Sequence, residues 1–166
     1  MNRYLLRIEV LTALLVVGIL GFFAVFAVTN ARAQARDAVR LSDVRQLQAG
    51  VELYFNDQNE YPNHAAPIAA GLPQYRCLNQ DGFAASCSAS TDTVYQGLIP
   101  IVPQQGLTGR VQCSDARNAY CYSGAGLKYG VAFELERKNA ILGLQKGVNC
   151  AVPTGFAPGP CEALAQ

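Results

Sequence analysis

Apolar positions crowd the start of the chain. Between Val10 and Val28 no residue is charged, and Thr12 is the only clearly polar one. At 1.5 Å per residue these nineteen positions make roughly 28 Å of helix, close to the bilayer's apolar thickness of about 30 Å. The run predicts a membrane-spanning helix. Arg3, Arg7 and the Met1 amino group precede it, which predicts a cytoplasmic N-terminus and export of everything after Val28.

Beyond Val28 the pattern turns one-sided. Leu41, Val44, Leu47, Val51, Tyr54 and Phe55 recur mostly at spacings of three and four, with Asp37, Arg40, Asp43, Arg45, Gln48 and Glu52 between them. This predicts an amphipathic helix that packs its apolar stripe against a core and turns the charged residues outward. No proline interrupts Leu5 to Asn56, so the two patterns predict one helix of roughly 50 residues, about 75 Å long. Asn56-Asp57-Gln58-Asn59, followed by Tyr61-Pro62, is its stop signal.

The remainder is less regular. Prolines at 62, 67, 73, 100 and 103 with several glycines predict an irregular connection containing at most one short helix. Ala119–Ser123, the turn signal Gly124–Gly126, the alternating Leu127–Glu136 and the apolar Ala140–Leu144 predict an antiparallel meander of three or four strands. Tyr129, Val131, Phe133 and Leu135 share one face of it and are natural partners for the helix stripe. The expected fold class is α+β: a long transmembrane-amphipathic helix packed on a small antiparallel meander, with disulfide-stapled loops.

Six cysteines follow residue 76 and none lies in the apolar run. An even number in an exported region predicts disulfides. Six allow about 15 pairings; sequence neighbours are the expectation, Cys77–Cys87, Cys113–Cys121 and Cys150–Cys161. Each closes a loop of about ten residues and contributes roughly 2.5–3 kcal/mol on the chain-entropy account. With no Cys-x-x-Cys pair and His64 as the single histidine, zinc spacing is absent. Asp81, Asp92 and Asp115 lie in loops without a run of oxygen ligands; no ion or cofactor is expected. No phosphate loop or nucleophile elbow is present, so an enzyme is not expected. Thirteen basic and twelve acidic residues leave a net charge of +1, which gives no general argument for a nucleic-acid partner. Arg32, Arg36 and Arg40 form a basic row that is expected to be a solvated face accompanied by Asp37 and Asp43.

Ile8-Glu9-Val10-Leu11 opening the apolar helix, Gly18 nine residues after the glutamate, and the stretch from Ala35 to Tyr61-Pro62 resemble the N-terminal helix of type IV pilins and type II secretion pseudopilins. Tyr120–Glu136 is similar to pseudopilin strands. The resemblance implies a bacterial structural subunit that polymerises into a pilus or pseudopilus. Its expected partners are copies of itself and other pilin-like subunits, a cytoplasmic-membrane assembly platform, and membrane lipid. Glu9 and Gly18 carry subunit assembly in this reading, with Glu9 pairing with the N-terminal region of a neighbouring subunit. Tyr4 stands where the family's precursors have a glycine before the cleavage site, so slow or absent cleavage after Tyr4 is expected.

The expected organisation is therefore residues 1–28 as cytoplasmic leader and transmembrane half, and 29–166 as an extracytoplasmic region. The latter comprises 29–56 as amphipathic helix, 57–108 as connection, 109–146 as sheet and 147–166 as a C-terminal disulfide loop. Two alternatives stand beside it. One is an anchored binding module that does not polymerise. The other is a secreted domain released after Ala33, since Ala31-Arg32-Ala33 is an A-x-A sequence.

Overall fold

The computed structural model describes residues 2–88, 92–114 and 116–161, with side chains of the helix from residue 8 onward. One helix, α1, runs Asn2–Gln58 without a break. Asn59 stops it in the left-handed region at φ 58°, a conformation asparagine tolerates better than most residues. The chain forms two compact units, Met1–Ala35 and Arg36–Gln166. The first consists of the first half of α1. Among the described residues the second contains the rest of α1 and eight strands.

The strands are β1 (His64–Ala70), β2 (Cys77–Asn79), β3 (Gly82–Ala84), β4 (Val94–Gln96), β5 (Tyr120–Ala125), β6 (Lys128–Leu135), β7 (Gly147–Val152) and β8 (Gly155–Pro158). They build a five-stranded sheet in the order β1-β5-β6-β7-β8 and a three-stranded sheet in the order β3-β2-β4. All pairs are antiparallel. A long helix with antiparallel sheets and disulfides is an α+β architecture, as expected.

The helix stripe and the sheet share one core. Leu41, Val44, Leu47, Val51 and Tyr54 are buried against Tyr120, Tyr122, Tyr129, Val131, Phe133 and Leu135, and Phe55 packs at the margin. The alternation of β6 thus puts all four of its odd-numbered residues inward. Ala125 faces Lys128 across a two-residue turn whose first residue, Gly126, has φ 56°. Glycine meets that requirement of a tight hairpin without a steric cost. The disulfides are Cys77–Cys87, Cys113–Cys121 and Cys150–Cys161.

Two stretches differ from the sequence reading. Among the described residues, 62–108 hold four strands and no helix. β1 reads His-Ala-Ala-Pro-Ile-Ala-Ala, a poor strand by composition, yet it pairs with β5 as an edge of the main sheet. A register shift between His64 and Ile68 accommodates Pro67, and an edge strand tolerates a residue with no N–H to donate. Strand propensity is largely a matter of neighbours, which composition does not reveal.

The second difference lies after Leu135. Ala140–Leu144 is a turn closed by the Asn139–Leu144 bridge, and the next strand is β7, within the expected disulfide loop. Asn139 Oδ1 accepts the N–H of Leu142, a local bond that favours a turn over a strand. Fully buried Asn149 completes the corner. Its amide donates to the carbonyls of Gln145 and Gly147, and its oxygen accepts the Gln145 N–H.

Candidate assembly surface and the buried charge cluster

In the N-terminal unit the large apolar side chains from Ile8 to Val28 are exposed, from 48% at Ile19 and Val28 to 70% at Phe22. Among the described residues nothing in the unit covers them. The helix over Ile8–Gln58 reaches a hydropathy of 2.7 in its most apolar window, long and apolar enough to cross a membrane. A signal sequence near an N-terminus has the same character.

Glu9 is exposed on this helix. Its carbonyl accepts the Thr12 hydroxyl at 2.9 Å, and its carboxylate forms no ion pair among the described residues. The side chains of Arg3, Tyr4 and Arg7 lie outside the described residues, as does Met1. Among the described residues, and apart from the helix's own adjacent backbone, no atom lies within 4 Å of where a Cβ would stand at Gly18 or Gly21.

The basic row does not form the expected solvated face. Arg32 is exposed, but Arg40 is wholly buried at 0% exposure, and Asp37 and Asp43 are buried too. The Arg40 guanidinium reaches Asp37 Oδ1 at 2.8 Å and Glu136 Oε1 at 2.9 Å through Nη1. Through Nη2 it donates to the carbonyls of Pro103 and Gln105. Arg36 holds the same Glu136 with a two-pronged contact, both at 2.7 Å. Asp37 in turn accepts the backbone N–H groups of Glu136 and Arg137, both at 2.9 Å. Paired charges and two carbonyls let an arginine be buried; alone, its charge would cost several kcal/mol. Within this cluster, among the described residues, Arg40 Nε is the buried polar atom without a partner. The guanidinium bonds hold the Glu136 carboxyl below the usual range, against the opposing effect of burial.

Further along α1, Asp43 accepts the Tyr120 hydroxyl at 2.7 Å. Burial raises the Asp43 carboxyl, and the tyrosine bond lowers it in part. Burial, then the carboxylate itself, push the Tyr120 hydroxyl far up. These residues lie on the core side of the helix because Asp37, Arg40 and Asp43 continue the spacing of Leu41, Val44 and Leu47. That extension of the buried stripe was the available sequence signal. Counting only apolar residues missed it.

Concavities of the second unit lie on two of its faces. A groove of about 570 Å³ runs between the helix face bearing Leu41 and Arg45 and the turn bearing Ile141 and Leu142. A hollow of about 320 Å³ lies over the outer sheet face beside Arg110, Ser123 and Cys161. His64, on β1, contacts the rings of Tyr75, Phe83 and Tyr122, and burial lowers its pKa. Asp81 is exposed at a tight turn, where its N–H bonds Asn79 Oδ1. Asp92 accepts from the Asn79 amide and the Ser88 N–H, and Asp115 lies outside the described residues. Among the described residues no cluster of three or more histidine, cysteine or acidic side chains is placed to hold a metal.

The described geometry is thus an uncovered apolar helix joined to a disulfide-stapled α+β unit that buries a charge cluster at its start. No family model matches the chain, and no characterised protein or solved structure matches it.

Proposed function

We propose that the chain is a structural subunit of the type IV pilus or type II secretion pseudopilus kind. It sits in the cytoplasmic membrane by the first half of α1 and polymerises through it, with residues from Arg36 onward exported. The observation that carries this reading is the uncovered apolar surface of Ile8–Val28 on the same unbroken helix that supplies the core stripe of the second unit. In lipid that surface is solvated. In a filament it packs against copies of itself, where dispersion and the matching of a few polar groups replace the lipid contact. Glu9 is the one acidic residue at the edge of the run, and a carboxylate in such a bundle favours a cationic partner by several kcal/mol. Three disulfides suit the oxidising side of the membrane.

Electron microscopy of material sheared from cells expressing the full chain with its own assembly machinery tests the proposal. Filaments containing the chain support it. A chain that stays membrane-bound and never polymerises is an anchored binding module instead. Intact mass adds the third outcome, since a mature protein beginning at Gln34 is a secreted domain.

A further inference from the structure

The second unit carries opposite charge at the two ends of its helical segment. The turn beside the start of the segment contains Arg137, Lys138 and Lys146 and no acidic residue between positions 137 and 149. Lys138 and Lys146 are exposed and make no ion pair among the described residues. Between them Ile141 stands out at 95% exposure, and it forms one lip of the 570 Å³ groove whose other wall carries Leu41 and Arg45. An isoleucine that exposed, at the rim of a partly apolar groove, is a poor match for water.

The finish of the same helix is the reverse. Asp57 and Glu60 are exposed, and the last turn holds no basic residue. Helix carbonyls already give a C-terminus partial negative charge that lysine or arginine ordinarily offsets. No residue of the last turn supplies that offset. Asp81 lies close enough to add to the field felt by Tyr54, as does Glu60. Leu53, one helical turn before Asp57, is 52% exposed and lies on the same face. Each end therefore offers an exposed apolar side chain, Ile141 or Leu53, beside charges of one sign, and the two sets of charges are opposite.

We propose that the groove between α1 and the 139–142 turn receives the helix end of a second copy of this chain. Leu53 of that copy seats against Ile141 and Leu142, and its Asp57 and Glu60 face Lys138, Lys146 and Arg45. The occupant is a second copy because the complementary charge and apolar side chain are both present on this chain. The two patches are different surfaces, so the contact is head-to-tail and does not close on itself in a pair. It propagates as an open row. This inference rests on the filament reading of the preceding section and adds to it a polar, directional contact between the exported units. Opposite charges across such a contact chiefly set its register and select against wrong pairings.

The test uses the full chain in filaments assembled from an equal mixture of ¹⁴N- and ¹⁵N-labelled subunits. A zero-length carbodiimide reagent joins lysine amines to carboxylates that touch. Leu41 and Asp57 are sixteen positions apart, about 24 Å along the helix, so bridging between the two ends within one chain is not expected, and mixed isotope pairs identify bonds between chains. The expected product is a mixed-label amide joining Lys138 or Lys146 to Asp57 or Glu60. Glu60→Lys alone, and Lys138→Glu with Lys146→Glu, should each reduce filament yield about tenfold, since like charges then face one another. All three changes in one chain should restore it. Disulfide mapping and membrane level establish that each variant folds. Wild-type filaments with cross-links mapping elsewhere, or with reversed charges that leave yield unchanged, overturn this contact and leave the subunit reading standing. Wild-type chain that forms no filaments overturns both.

Discussion

Arg40 and Glu136 meet at 2.9 Å across 96 positions of sequence, and the arginine is wholly buried. Their contact ties the helix to the end of β6, while Arg40 also holds the carbonyls of Pro103 and Gln105. A single guanidinium therefore joins three segments that the chain brings together only on folding.

Arg40→Ala is expected to destabilise the second unit by about 3–5 kcal/mol, because it leaves buried Asp37 without its cation and two loop carbonyls without their donor, while Glu136 keeps Arg36. Arg40→Lys should recover only part of this, since an ammonium keeps the charge and loses the planar fork. Arg32→Ala, on an exposed residue, should change stability by no more than about 0.5 kcal/mol. Denaturant unfolding of the detergent-solubilised chain, followed by tyrosine fluorescence, measures all three.

Glu136 and Asp43 pull stability in opposite directions with pH. Glu136 is held below its ordinary value of 4.5 by Arg36 and Arg40. Its contribution is fully present above that value and is lost as pH falls through the lower folded value. Asp43 is raised above its ordinary 3.8, chiefly by burial. Its contribution is present below 3.8 and is lost as pH rises through the folded value. Glu136→Gln should therefore lower stability at pH 7 and flatten the fall in acid. Asp43→Asn, which keeps an oxygen to accept the Tyr120 hydroxyl, should be neutral or stabilising at pH 7. Unfolding midpoints measured from pH 3 to pH 7 distinguish the two. A Glu136→Gln variant as stable as wild type at pH 7 would refute the assignment of Glu136 to the clamp.

Gly130 lies beneath the Cys150–Cys161 disulfide. A Cβ there would stand 3.1 Å from Cys161 Sγ and 3.4 Å from Cys150 Sγ. Gly130→Val should crowd this bond and cost about 1–3 kcal/mol, visible as a lower unfolding midpoint and a fraction of chains with Cys161 unpaired. Thiol labelling without reductant reads that fraction. Gly82→Ala makes a useful contrast. Its added Cβ would meet open space, but Gly82 has φ 105°, so its cost should come from backbone strain and leave the Cys150–Cys161 pair intact.

Glu9→Leu should yield a folded subunit at normal membrane level but few or no filaments. Glu9 lies 32 positions before Leu41, roughly 48 Å along an α-helix, and its carboxylate has no ion pair within the chain among the described residues. Distant sites act independently on stability, so the disulfides and unfolding midpoint should not move. Glu9→Asp keeps the charge with a shorter reach and should be intermediate. Filament counts in sheared material, beside equal wild-type expression, decide the matter. Assembly as efficient as wild type would make Glu9 a headgroup residue.

Much of the fold could be read from local pattern alone. The long helix announced itself because hydrophobic period and absence of proline are properties of neighbouring residues. The Asn-rich stop is likewise local, and so is the inward face of β6, since a strand alternates by its own geometry. The stripe Leu41, Val44, Leu47, Val51 and Tyr54 faces the core for the same reason. What tertiary structure decided depends on partners far away. β1 is a strand because β5 offers it an edge. Ala140–Leu144 is a turn because Asn139 satisfies the backbone within it and Asn149 the backbone just after it, so the strand forms at β7 instead. Arg40 is inside because Glu136 and two loop carbonyls meet it there. Arg40 stands four residues before Val44 and so shares the inner side of the helix, which a reading of apolar positions alone turned outward; spacing in any case carries no free energy for desolvating a charge. Whether a charged residue on that side is buried or solvated is settled only when the folded chain supplies, or fails to supply, the opposite charges and acceptors that replace water.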